Sequence, residues 1–119
     1  MVFIDLFAEG LNAPCLYDRV FYENLAARMH LNSIAAINLI VDGETDLLNI
    51  LVPMRACLPQ VALAQVAERK NIILLAGNSV HHSISQLMEK PSSALSKNEL
   101  ECRTGLKAFT PLPEPIINA

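Results

Sequence analysis

The sequence predicts an all-α protein, mainly helical, with at most one short strand near residues 72–76. Three observations lead there. Apolar residues recur at three- and four-residue steps along most of the 119-residue chain. Helix start and stop residues (Pro14, Asn32, Ser33, Glu44, Ser92) punctuate those stretches. Hydrophobic residues make up 52% of the chain and charged residues only 18%, which leaves apolar surface for a second chain to cover and predicts a homodimer.

Taken in order, APCLYDRVFYENLAARMHL places Leu16, Val20, Phe21, Leu25 and Met29 on one stripe, with Asp18, Glu23 and Arg28 off it. Pro14 suits the first turn of a helix, where its missing N–H would be unpaired anyway. Asn32 or Ser33 then caps a second helix, SIAAINLIV, which Asp42-Gly43 ends as a turn. A third helix, ETDLLNILVPMRA, starts with Glu44 and Asp46 at the positive end of its dipole, and Pro53 should kink or stop it.

LPQVALAQVAERK reads as a fourth helix running to Lys70, after which IILLA (72–76) fits a buried strand or a buried helix turn equally. Val80 to Met88 is a short helix with Ile84, Leu87 and Met88 inward, stopped at Lys90-Pro91. Ser92 or Ser93 caps a last helix through SALSKNELECRTGLKAF. Residues 1–110 thus form one helical domain, and 111–119, with prolines at 111, 113 and 115, a flexible tail.

The longest apolar run is far below the roughly 18 residues of a membrane span, and Asp5 and Glu9 interrupt any signal-like N-terminus. A cytoplasmic location is expected. Net charge is −3 and the pI about 5.5, so the chain alone lacks the basic face that phosphate binding needs. Cys15, Cys57 and Cys102 are 42 and 45 residues apart, which is neither a disulfide framework nor a zinc pattern.

Chemistry-bearing patterns are few. His81 and His82 open the stretch HHSISQL, but adjacent residues on a helix point about 100° apart and cannot share an ion. No metal and no cofactor is expected, and the pair reads as one packed and one exposed histidine at a helix start. GxSxG, P-loop and GxGxxG motifs are missing. The acid pairs Asp42 and Glu44, and Glu99 and Glu101, fit helix ends better than catalysis. NLAARMHLNSIAAINLI has the outline of a helix-turn-helix with His30 at the turn, but it lacks a turn glycine and has little basic content, and two amphipathic helices joined by a polar bend explain it better.

Several short motifs, in one order, resemble the FlhD family, a subunit of the bacterial flagellar master transcriptional activator. His81, Ile84, Gln86 and Leu87 of HHSISQL match its His-x-Thr-Ile-Thr-Gln-Leu segment, with Ser83 and Ser85 in place of threonines. Leu25, Ala26 and Arg28 match a Leu-Ala-x-Arg helix, Leu58, Pro59 and Gln60 a Leu-Pro-Gln helix, and Thr104-Gly105 with Thr110 a pattern near the C-terminus. The resemblance implies a small, intertwined, all-helical dimer that is not an enzyme. It further implies a second, FlhC-like subunit and promoter DNA bound through that complex. The polar residues then expected to meet DNA or partner are Ser92, Ser93, Lys97, Arg103 and Lys107. Small size, acidity and dimerisation fit a second class equally: a secretion chaperone or adaptor with no DNA role.

Overall fold

Apolar runs that read as helices in isolation pair with one another instead. The computed structural model describes residues 2–4, 7–8, 11–65 and 71–113, and it is mixed α/β. The chain runs through β1 (Val2–Ile4), β2 (Phe7–Ala8), β3 (Leu11–Asn12), a 3-10 turn at Pro14–Tyr17, α1 (Arg19–Ala27) and β4 (Ile34–Ile40). It continues through α2 (Glu44–Arg55), β5 (Gln60–Gln65), β6 (Asn71–Gly77), α3 (Val80–Glu89), a 3-10 turn at Ser92–Ala94, α4 (Lys97–Leu106) and β7 (Thr110–Pro111). Strands β4, β6, β5 and β7 form an antiparallel sheet in that spatial order, and β1 joins the β4 edge in parallel. Strands β2 and β3 make a separate two-stranded ladder.

The all-α expectation is therefore overturned, and with it the intertwined helical fold. SIAAINLIV is β4, paired with β6 from Ile34↔Gly77 to Ile40↔Asn71. LPQVALAQ contains β5, paired with β6 from Gln60↔Gly77 to Gln65↔Ile72; the rest of that expected helix, 66–70, lies outside the described residues. The helix-turn-helix outline fails for the same reason, since its second half is β4. The cause is burial on both faces. A strand covered on one face alternates polar and apolar residues, whereas one covered on both becomes a continuous apolar run, and over seven residues that run mimics a buried helix.

The sheet divides the core in two. Ala35, Ile37 and Leu39 of β4, Val61 of β5 and Leu74 and Ala76 of β6 meet Leu16, Tyr22, Ile50, Leu51 and Met54 on one face. That layer contains α1, α2 and the turn before them. Ala36, Ala62 and Leu75 meet Val80 and Ile84 of α3 on the other. Small residues at 36 and 62 leave room for α3 against the sheet.

Elements expected as helices and found so share a polar face and end chemistry. Asp18 accepts from Val20 N at 3.0 Å and caps α1. Pro53 stands in the last turn of α2 without ending it before Arg55. The final helix starts later than expected, because Ser96 and not Ser92 or Ser93 is its cap: Glu99 N donates to Ser96 Oγ at 3.2 Å, and Ser96 N to the Glu99 carboxylate at 3.5 Å. Ser92 and Ser93 lie in the preceding 3-10 turn. Of the expected tail, Thr110 and Pro111 pair with Leu63 and Ala62, Leu112 N donates to Val61 O at 2.8 Å, and 114–119 lie outside the described residues. No helix among the described residues is long and apolar enough to cross a membrane.

Candidate functional site

The groove that stands out runs between the Pro14–Tyr17 turn and α2. Its first part, about 670 Å³, opens beyond the carboxyl end of β4. Asn12, Pro14 and Tyr17 wall one side; Ile40 and Asp42 close the strand end, and Thr45, Asp46 and Asn49 of α2 form the other. A second cavity of about 420 Å³ shares Pro14 and Tyr17 and continues along α2 to Val52, Pro53 and Ala56, past Asp18 and Arg19.

Local chemistry holds the acidic end in shape. The Asn12 side chain is buried and meets both backbone groups of Ile40, donating Nδ2 to the carbonyl at 2.5 Å and accepting the Ile40 N–H at 2.9 Å. That pair of hydrogen bonds satisfies the last residue of β4 and docks the turn on it. Tyr17 OH then donates to Asp46 Oδ1 at 2.7 Å, while Asp42 N donates to Asp46 Oδ2 at 3.2 Å. Partial desolvation raises the Tyr17 pKa; the Asn12 hydrogen bond opposes this, and the Asp46 carboxylate adds to it. Tyr17 is thus a neutral donor.

Gly43, at φ 99° and ψ 172°, turns the chain into α2 and offers no side-chain cap. Asp42 and Glu44 flank it, and no hydrogen bond or ion pair holds either carboxylate among the described residues. Arg19 is the cation of the second cavity, and Glu23 holds it at 3.1 Å. The groove is therefore acidic at one end, offset there by the amino-terminal dipole of α2 and the two hydrogen bonds to Asp46. Its other end is apolar: Val52 is 70% exposed, with Leu48 on the same helix side and Val20 on α1 also open. No histidine, lysine or cysteine lines either cavity.

No family model matches the chain, and neither a curated protein nor a solved structure matches it.

Residues singled out from sequence lie elsewhere. Arg103 bridges inward, donating Nη1 to Lys90 O and Nη2 to Ser92 Oγ, each at 2.7 Å. Ser93 is exposed in the turn, Lys97 is the first residue of α4 and Lys107 caps its far end. The two lysines stand about 15 Å apart along that helix, with Glu99 and Glu101 between them. Ser92 and Arg103 are brought together; a continuous basic face is not.

Among the motif residues, Leu25 and Ala26 pack half-buried on the core and Arg28 caps α1, exposed. Leu58 is fully buried, and Pro59 O accepts from Arg55. Gln60 Oε1 accepts the His81 N–H at 3.0 Å, supplying to α3 a cap that Ser79 does not. His81 Nε2 is 3.3 Å from Val61 O, His82 and Gln86 are exposed, Ile84 is buried and Leu87 half-buried. Gln60 and His81 therefore meet to start a helix. Among the described residues no group of three or more His, Cys, Asp or Glu could hold a metal ion. Cys15 and Cys57 are free and half-buried against the core; the Cys102 side chain lies outside the described set.

Sequence reasoning missed the groove. Its one legible signal was α2 itself, which carries apolar residues on every side (Leu47, Leu48, Ile50, Leu51, Val52, Met54), more than one buried stripe can use.

Proposed function

We propose that this chain is a non-enzymatic cytoplasmic adaptor that holds a segment of another protein in the groove between the Pro14–Tyr17 turn and α2. The observation that carries this reading is the continuity of the two cavities through Pro14 and Tyr17, open along their length and ending in an exposed Val52. An elongated channel with an apolar wall and fixed polar groups suits an extended chain better than a small substrate, which would need a more enclosed site. A photo-reactive residue at position 52, compared with one at the exposed Asn98 of α4, tests it in the native cell. Partner cross-links at 52 and none at 98 are expected; the reverse pattern would transfer the function to α4.

A second reading rests on the ordered FlhD-like motifs: a dimeric subunit that reaches promoter DNA only with an FlhC-like partner. It draws on sequence alone, since the helical fold implied by that resemblance is not the one adopted. Mobility-shift titration of the complex recovered from the native cell separates the two. Specific duplex binding that weakens with Lys97→Ala and Lys107→Ala would favour the DNA role, and its absence the adaptor.

A further inference from the structure

The groove has two unlike ends, and this contrast defines what it would hold. Resting on the adaptor reading, we infer that its occupant is an extended peptide segment carrying an apolar side chain and, about three residues away, a lysine or arginine. The apolar side chain would lie against Val52 and Pro53, where nothing among the described residues covers a valine that is 70% exposed. The cation would meet Asp42 and Asp46. Both lie where α2 begins, and the Asp42 carboxylate has no partner among the described residues. Arg19, the cation that lines the second cavity, is paired with Glu23 and does not line the acidic end.

The spacing follows from helix geometry. Asp46 and Pro53 are seven residues apart on α2, which at 1.5 Å per residue is about 10 Å. A polyproline-II segment advances about 3.1 Å per residue and returns to the same face every third residue, so two side chains three residues apart span about that distance and both face α2. Tyr17, its hydroxyl committed to Asp46, stands midway with its ring as the opposite wall. An acidic segment would face repulsion at one end, and a purely basic one would leave the apolar end unfilled.

The test is a nuclear magnetic resonance titration of the full chain with short synthetic peptides. The reference probe is Gly-Ser-Leu-Ala-Ser-Lys-Gly-Ser. Its three controls replace Lys by Glu, replace Leu by Ser, or add four residues between Leu and Lys. Amide shifts at Asp42, Thr45 and Val52 are expected with the reference peptide alone, weakening as salt rises. Asp42→Lys should weaken the Lys peptide by about fivefold, the scale of one exposed ion pair, and admit the Glu peptide. Its side chain is exposed, so the fold should persist, which an unchanged melting temperature checks. Equal binding of Lys and Glu peptides, or no shift with any peptide, would overturn the inference. A cross-link from position 52 would still stand in that case, and its loss alone would sink the adaptor reading. Light scattering supplies a further outcome: a dimer that Val52→Ser converts to monomer would show a second copy covering the groove, and would overturn a peptide occupant.

Discussion

Gly43 sits at φ 99° and ψ 172°, a region open essentially only to glycine, and a Cβ built there would meet nothing within 4 Å. Cost at this position is thus a matter of backbone and not of space. Gly43→Ala should lower stability by about 1–3 kcal/mol in urea titration, and the amides of Asp42 and Thr45 should exchange faster. An unchanged midpoint would mean that the turn into α2 relaxes freely. Tyr22 is the second residue with a definite signature. It is fully buried, and its hydroxyl donates to Leu16 O at 2.5 Å. Burial is the main cause that raises its pKa well above the ordinary tyrosine value, with the nearby Cys15 and Tyr17 adding to it. A raised folded-state pKa favours the protonated form. The stabilisation is therefore complete below about pH 10, the unfolded value, and is lost as pH climbs from there toward the folded value. Unfolding midpoints followed from pH 9 upward should fall for the parent chain, and fall less steeply for Tyr22→Phe.

At the scale of elements, helix and strand were separable where one face was polar and inseparable where both faces were covered. For α1 and α2, off-stripe or first-turn charges such as Asp18, Glu23, Glu44 and Asp46 point to helices that form, whereas the cap of α4 is Ser96 and not the Ser92 or Ser93 that the sequence suggests. For β4 and β5, Ala35, Ala36, Ala62 and Leu63 are good helix formers in local terms, and only seven and six ladder pairs with β6 override them. The close approach that locks β4 to β6 can be tested at Gly77. A Cβ there would lie 2.6 Å from Ser33 O and 3.3 Å from Val80 Cγ2, and a backbone carbonyl cannot swing aside as a flexible side chain can. Gly77→Ala should cost about 1–3 kcal/mol, with the loss concentrated at the Ile34 end of β4 in hydrogen exchange. Uniform loss across the sheet, or none, would place the constraint elsewhere.

On the scale of the whole molecule, two kinds of apolar residue should respond in opposite ways. Leu74 is fully buried at the sheet centre and Val52 is 70% exposed on α2. Leu74→Ala should destabilise by about 2–5 kcal/mol. Val52→Asp should stay within about 0.5 kcal/mol of the parent and abolish partner cross-linking from a photo-reactive residue placed at the exposed Asn49 of α2. If Val52→Asp unfolds the chain, the valine supports the core and the groove loses its apolar end. If both variants leave stability unchanged, the division between core and open face is wrong.

The sequence by itself determined the helices with polar faces, the turn at Asp42-Gly43, the stop at Lys90-Pro91 and the acid balance that disfavours a lone nucleic-acid binder. Tertiary structure decided the rest. Whether IAAINLI is a helix depends on whether β6 is beside it, because six apolar residues broken only by Asn38 carry almost no period when both faces are buried. The groove was decided the same way. Asn12, Tyr17, Asp46 and Val52 are spread over forty positions of the chain, and each is unremarked alone. The docking of Asn12 on Ile40, 28 residues away, with the Tyr17–Asp46 hydrogen bond and Leu16 in the core shared with Ile50 and Met54, sets the Pro14–Tyr17 turn alongside α2. Contacts between residues so distant in sequence leave no local periodicity, so no local pattern could have announced them.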